Sequence, residues 1–256
     1  MTLFAASKTA AASVLDIFSC LSLSGDGYDF SPKENMSRPC SVPLCRDTAA
    51  GFGALCNRHK AIRRRHGHPE QSGITVQELT PYRKRVKHRM ERNKDNGAWN
   101  ILAQRWERVI DAAKAQEVEA QAGKSFVSFE REACGELVKL SNEVPVETLI
   151  ETVLALFLMQ EEQPRRFRSD AAFDAQLARR ARALTDTNAG TYWDDKAKRT
   201  KRVYRDVTPR TLAVIAEHIK AAFGVAGLYV ARLEQRESEQ TKNQQAALVE
   251  ALENLK

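Results

Sequence analysis

Apolar residues recur at helical spacing along most of the chain. Tyr82, Val86 and Met90 stand four apart on one face, with Lys84, Arg85, Lys87 and His88 on the other, which predicts an amphipathic helix. Pro81 suits a first helical turn and marks its start. Asn96-Gly97 breaks the pattern. Beyond it Trp99, Leu102, Trp106, Val109 and Ala113 alternate three- and four-residue steps, a stripe expected to face the core rather than a ligand.

Further helices are expected over residues 130–140 and 146–160. The second carries Leu149, Ile150, Val153, Leu154, Phe157 and Leu158 around much of its circumference, so it should be the buried centre, with Pro164 as its stop. A helix over 170–184 turns Phe173, Leu177 and Leu184 inward. Thr208-Pro209 sets a cap before a first-turn proline. Leu212, Ile215, Ile219 and Phe223 follow on one face, and Gly224 is expected to end that helix. The last thirty residues read as one more helix, polar through EQRESEQTKNQQ, with Leu248, Leu252 and Leu255 as a short apolar edge. A coiled coil is not expected, because the heptads are not sustained. Strand patterns are nearly absent, so the fold class is mainly α.

One segment departs from this pattern. CSVPLCRDTAAGFGALCNRHK spaces its ligand types as C-x4-C-x10-C-x2-H. Thiolate sulfur and imidazole nitrogen suit tetrahedral zinc. The first pair fits a turn, the second fits the first turn of a helix, and Gly51 and Gly53 allow the reversal between them. Cys40, Cys45, Cys56 and His59 are therefore the candidate metal ligands. With all four positions filled by protein, the Zn2+ would be structural, and so small a unit would draw roughly 10–16 kcal/mol of apparent folding free energy from it. Three of the five cysteines cluster here, a distribution that fits a thiolate site in a reducing compartment rather than a disulfide framework.

CSVPLC followed by GALCNRHKAIRRRHGHP resembles the short treble-clef zinc-binding segment of many phage and mobile-element proteins, some of which carry an HNH-type nuclease domain. The resemblance covers residues 38–70. It implies the same four ligands and a basic tail at Arg63, Arg64, Arg65, Gly67 and Pro69. The chain departs from that pattern at Lys60, where an aromatic residue often follows the histidine. The fold is thus read as a small zinc-stapled, treble-clef-like unit followed by a multi-helix domain: 36–95 metal-binding and basic, 96–256 helical.

Charge adds to this. Residues 57–94 hold twelve Lys and Arg against three Glu, a net +9, whereas the whole chain is +7. Such clustering favours a nucleic-acid partner over a merely solvated face. Lys60, Arg63, Arg64, Arg65, His66, His68, Lys84, Arg85 and Lys87 are the candidate contacts. Six to eight phosphate contacts would give a log–log salt slope of roughly −5 to −7. The stretch KAKRTKRVYR at 196–205 and the arginines at 165, 166, 168, 179, 180 and 182 are possible extensions of that surface. Tyr192, Trp193 and Tyr204 are expected to pack inside rather than to stack on exposed bases, and Asp194-Asp195 to cap a helix N-terminus.

Other chemistry is scarce. No phosphate-cradling glycine loop and no G-x-S-x-G is present. An HNH nuclease would need His66 or His68 beside a second metal, and no second ligand cluster follows them. Cys134 reads as a small core residue. The N-terminal stretch is interrupted by Asp16, so no secretory signal is expected. The apolar run at 153–159 is too short to span a bilayer, so no membrane partner is expected. Met36 is a plausible alternative start, and residues 1–35 are expected to form a disordered extension. Together these features describe a cytoplasmic, zinc-stabilised DNA-binding protein, of a bacterial cell or phage-infected host. DNA is preferred to RNA. The helical remainder serves as scaffold, homodimer contact or protein-partner surface. The alternatives are a zinc-containing HNH-type nuclease and a zinc-dependent protein-interaction adaptor.

Overall fold

Thr75, Ser169 and Thr208 each open a helix with a side-chain oxygen that accepts from a first-turn amide. The structure is a computed structural model describing residues 38–186 and 189–254; the extension expected over 1–35 lies outside these residues. Among the described residues are seven α-helices: α1 Asn57–His66, α2 Val76–Arg92, α3 Ala98–Gln121, α4 Ser128–Glu143, α5 Val146–Glu162, α6 Asp170–Arg182 and α7 Pro209–Glu253. A hairpin of β1 Ala189–Asp194 and β2 Arg199–Tyr204 separates α6 from α7. The mainly α fold class, with its Cys/His cluster ahead of the helices, is the observed one.

Three local expectations are corrected. First, α2 starts ahead of Pro81. Glu78 N donates to Thr75 Oγ1 at 3.1 Å and Thr75 N to Glu78 Oε2 at 2.7 Å, a reciprocal capping box that initiates the helix upstream, with Pro81 inside it. Second, Gly224 does not end a helix. α7 runs on for 45 residues, about 67 Å. Its small residues serve packing instead: a Cβ at Gly227 would lie 2.4 Å from Phe157 Cδ2, so the absent side chain lets the phenyl ring seat against the α7 backbone. Third, residues 189–204 form strands.

α5 is the axis of the core. Its residues from Val153 to Leu156 are fully buried, and α2, α3, α6 and α7 pack around it. Trp106 of α3 stacks on Phe223 of α7 with ring centroids 5.6 Å apart. Phe157 meets Phe173 edge-on at 5.1 Å, and Phe173 meets Phe167 at 5.2 Å. α2 contributes Leu79, Tyr82 and Val86 to the same core. Two polar devices lock the helices further. Arg182 Nε donates to Glu136 Oε2 at 2.7 Å, with both side chains under a tenth exposed. Arg85 and Arg89 of α2 grip Glu234 of α7, and they also reach Glu162 and Glu237 respectively. Beyond Ala231 α7 leaves the core, and Leu248, Val249 and Leu252 are exposed.

By length and composition α7 is the one described helix that could cross a membrane, with a window of mean hydropathy 1.4 that is 44% buried. Leu212, Ile215, Ile219 and Phe223 in that window already belong to the core.

Candidate metal centre and basic surface

The cysteine-rich segment folds back on itself before α1 begins. Pro39 and Thr48 form an isolated antiparallel bridge. Ser41 N donates to Ala54 O at 2.8 Å and Ala50 N to Leu55 O at 2.9 Å. In the turn between the first two cysteines, Cys45 N donates to Val42 O at 3.1 Å and Leu44 takes φ 62°. A left-handed leucine costs on the order of 1–2 kcal/mol, and its fully exposed side chain offers no packing in return; what the turn achieves is the placement of the Cys45 thiol. Cys56 is the N-cap of α1 and His59 sits in its first turn, as the spacing predicts. The apolar cluster here comprises only Cys40, Val42, Leu55 and Cys56, with Cys45 against it, and is distinct from the main core.

The four ligand atoms converge. Cys40 Sγ lies 3.4 Å and Cys56 Sγ 3.3 Å from His59 Nδ1, and the Cys45 and Cys56 sulfurs are 4.0 Å apart. All four atoms lie within 4.8 Å of one another. A zinc tetrahedron with ordinary bond lengths has edges of about 3.8 Å between sulfurs and about 3.6 Å from sulfur to nitrogen. The side chains are therefore spaced to hold a metal ion, and the spacing is compatible with zinc. Among the described residues no other group of three His, Cys, Asp or Glu side chains gathers this closely.

The metal-free electrostatics of the cluster are uneven. Burial opposes ionisation of Cys40, but the Cys56 and Val42 amides and the His59 ring outweigh it and lower its pKa to about 6. At Cys45 the Asp47 amide favours the thiolate, yet burial and the two neighbouring sulfurs push the pKa up to about 11. Adjacent thiols cannot all ionise together without a compensating charge, and a divalent cation supplies it.

α1 is held in place at its other end too. Gly67, at φ 81°, closes the helix with its N–H on Arg63 O, and a Cβ there would sit 2.2 Å from Ala171 O. Only glycine lets α1 lie this close to the backbone of α6. α1 packs on α6, whereas α2 packs on α5, so the two basic helices are anchored to different parts of the core.

The candidate nucleic-acid contacts fall into distinct environments. Arg63, Arg64, Lys84 and Lys87 are exposed, and among the described residues no carboxylate lies in ion-pair reach of them. Lys60 is exposed, with its ammonium on the Ala50 carbonyl. Arg65 pairs with Asp206 at 3.3 Å while staying 63% exposed. Arg85 is turned to Glu162 and Glu234. His66 is half-buried, with Nδ1 3.0 Å from Gln176 Nε2. Burial, followed by the charges of Arg179 and Arg65, lowers its pKa and favours the neutral ring. His68 Nδ1 accepts from Glu70 N at 3.2 Å. Several of the later arginines are structural: Arg166 binds Glu78 and the Gly73 carbonyl, Arg180 the Ile74 carbonyl, and Arg182 the buried Glu136.

Cys134 is buried, with its thiol 3.1 Å from Gln116 Oε1, as expected of a core residue. The sequence reading misplaced Tyr192 and Trp193, which are 49% and 56% exposed on the hairpin. Asp194 caps the hairpin turn rather than a helix, accepting from Lys196 N and Ala197 N at 3.0 Å each.

Fold and site together define a mainly helical protein with a Cys3His cluster placed to hold a metal ion. Comparison with family models, with curated proteins and with solved structures finds no match. The treble-clef resemblance, phage origin and nuclease activity therefore have no relative to support them.

Proposed function

We propose that the chain is a zinc-stabilised nucleic-acid-binding protein, cytoplasmic, with duplex DNA its preferred partner. The observation that carries this reading is the placement of Arg63 and Arg64. They are exposed, have no carboxylate partner among the described residues, and follow the ligand His59 on a helix pinned by the Cys3His cluster at one end and by Gly67 at the other. Zinc would supply structure alone: with four protein ligands it has no open coordination position for substrate. Its role is to hold α1 so that these guanidiniums meet phosphates without paying an ordering cost at each encounter. Lys84 and Lys87 on α2 extend the cationic surface. Outside carboxylates offset Arg65, Arg83, Arg85 and Arg89 of this segment, so the candidate cations left for phosphate are those of Arg63, Arg64, Lys84 and Lys87.

The test is a gel-shift panel of duplex DNA, single-stranded DNA and RNA at two salt concentrations, with and without prior removal of metal by a chelator. Binding that weakens with salt, prefers duplex and falls on chelation is expected. Salt-independent binding, or none to any of the three, would refute the reading. Retention of a protein partner with no nucleic acid bound would favour an adaptor instead.

A further inference from the structure

Among its described side chains the hairpin between α6 and α7 contributes none to the core. Its strands pair with each other in the register Tyr192↔Lys201, Trp193↔Thr200 and Asp194↔Arg199, and they make no substantial packing contact with any helix. Its root is nonetheless firmly held. Asp186 N donates to Glu143 Oε2 at 3.2 Å on the incoming side. On the outgoing side Arg182 Nη2 donates to Arg205 O at 3.0 Å, and Asp206 takes Arg179 at 2.8 Å and Arg65 at 3.3 Å. The result is a free ribbon on a fixed base.

The decoration of the ribbon limits what it can bind. Residues 189–205 carry six Lys and Arg against two Asp, a net +4. One face presents Tyr192 with Arg199 and with Lys201, which is paired to Asp194 on the same face; the other presents Trp193 with Thr191 and Thr200, since successive side chains alternate across a strand. Lys196 and Lys198 stand at the tip. A ribbon meant to lie on a membrane or a flat protein surface needs one apolar face and one solvated face. Among the described side chains each face carries one exposed aromatic with polar neighbours, so the fitting partner flanks the ribbon on both sides and is anionic. Six residues per strand reach about 20 Å, against a major groove about 12 Å wide and about 8.5 Å deep that admits a two-stranded ribbon.

We infer that the β1–β2 hairpin is a DNA-groove-inserting arm, with Lys196, Lys198 and Arg199 contacting the phosphates of the groove walls and Tyr192 and Trp193 packing against sugars and base edges. The inference rests on the nucleic-acid-binding reading above and adds a second contact element, distant in sequence from the metal centre.

Trp193 provides a direct readout. It is 56% exposed whereas Trp106 is 3% exposed. Full-length protein is titrated with a short duplex, a single strand of the same sequence, and anionic phospholipid vesicles, following tryptophan emission. Lys198→Ala/Arg199→Ala, Trp193→Phe and Arg63→Ala/Arg64→Ala are run in parallel, with thermal melts to confirm folding. Duplex should quench emission in the wild type and not in Trp193→Phe. Lys198→Ala/Arg199→Ala should weaken duplex binding at about 0.1 M salt by roughly tenfold or more and make the salt slope shallower by about two. If the wild type binds duplex, and Arg63→Ala/Arg64→Ala weakens it, while Trp193 emission and the Lys198→Ala/Arg199→Ala affinity do not change, the arm is overturned and the metal-centred surface stands. A Trp193 response to vesicles or single strands but not to duplex also overturns it. No binding by the wild type to any nucleic acid removes both readings.

Discussion

Replacing Arg64 and replacing Arg85 by alanine should separate binding from stability, although both residues belong to the same basic stretch. Arg64 is exposed, with no carboxylate partner among the described residues. If it meets a phosphate, its loss makes the log–log salt slope shallower by about 0.9, which at about 0.1 M salt is roughly an eightfold loss of affinity. Its effect on stability should stay within about 0.5 kcal/mol, as for an ordinary surface site. Arg85 is different. Its side chain is 36% exposed, and the guanidinium bridges Glu162 of α5 to Glu234 of α7. Alanine there should leave the salt slope unchanged and cost about 1 kcal/mol, because pairs this exposed are screened by water. The same accounting sets the slope of the metal-centred surface. Arg63, Arg64, Lys84 and Lys87 are the four candidates with no partner among the described residues, so about −3.6 is expected, shallower than the sequence-based range because carboxylates hold Arg85 and Arg65, the Ala50 carbonyl holds Lys60, and burial favours the neutral ring of His66. Fluorescence anisotropy of a labelled duplex across a salt series gives the slopes, and urea melts give the stabilities. The reasoning fails if Arg85→Ala changes the slope as much as Arg64→Ala, or if Arg64→Ala leaves it unchanged.

Other outcomes follow from the core. Arg182→Ala leaves Glu136 buried without its main partner and should destabilise by about 3–5 kcal/mol in urea melts. Burial works to raise the Glu136 pKa, but the hydrogen bonds and charges of Arg182 and Lys139 together outweigh it, so the carboxyl titrates below the usual range. The stability it contributes is therefore present above the unfolded-state glutamate pKa and disappears as pH falls through the lower folded value. Melts across the acid range should show that loss in the wild type and lack that component in Glu136→Gln; identical acid profiles would contradict it. Gly227→Ala drives a methyl into the Phe157 ring and should cost about 1–3 kcal/mol. A Phe157→Leu background should relieve part of that cost, read as a coupling energy in a double-mutant cycle.

The parts of the molecule that were legible in sequence are those governed by local spacing. C-x4-C and C-x2-H place two ligands in a turn and two in a first helical turn whatever the rest of the chain does, and the four atoms do converge. The α5 stripe was equally plain, because a segment apolar all round has nowhere to go but the centre. What escaped was decided by partners far along the chain. Gly224 read as a helix end, yet the Phe157 ring near it and Gly227 makes small residues an asset of packing. Arg85 looked free because Glu234 stands 149 residues away. The hairpin escaped for a different reason. Its turn, Asp195 to Lys198, contains no Gly, Pro or Asn, and the Asp194-Asp195 pair, whose first member caps it, read equally well as a helix start; its described strand side chains are not buried, so two-residue alternation did not announce it. The β-branched and aromatic residues Thr191, Tyr192, Trp193 and Val203 were the available signal. Thr75 and Glu78 likewise spelled the capping box that Pro81 obscured.

The account stands on Cys40, Cys45, Cys56 and His59 sharing one ion that orders the start of α1. Metal analysis of the purified chain beside Cys56→Ser tests this most directly. A single zinc per chain in the wild type and none in the variant, with α1 amides losing hydrogen-exchange protection when the metal is removed, is the predicted result. A metal-free wild type whose α1 is as well protected as the rest of the fold would contradict it.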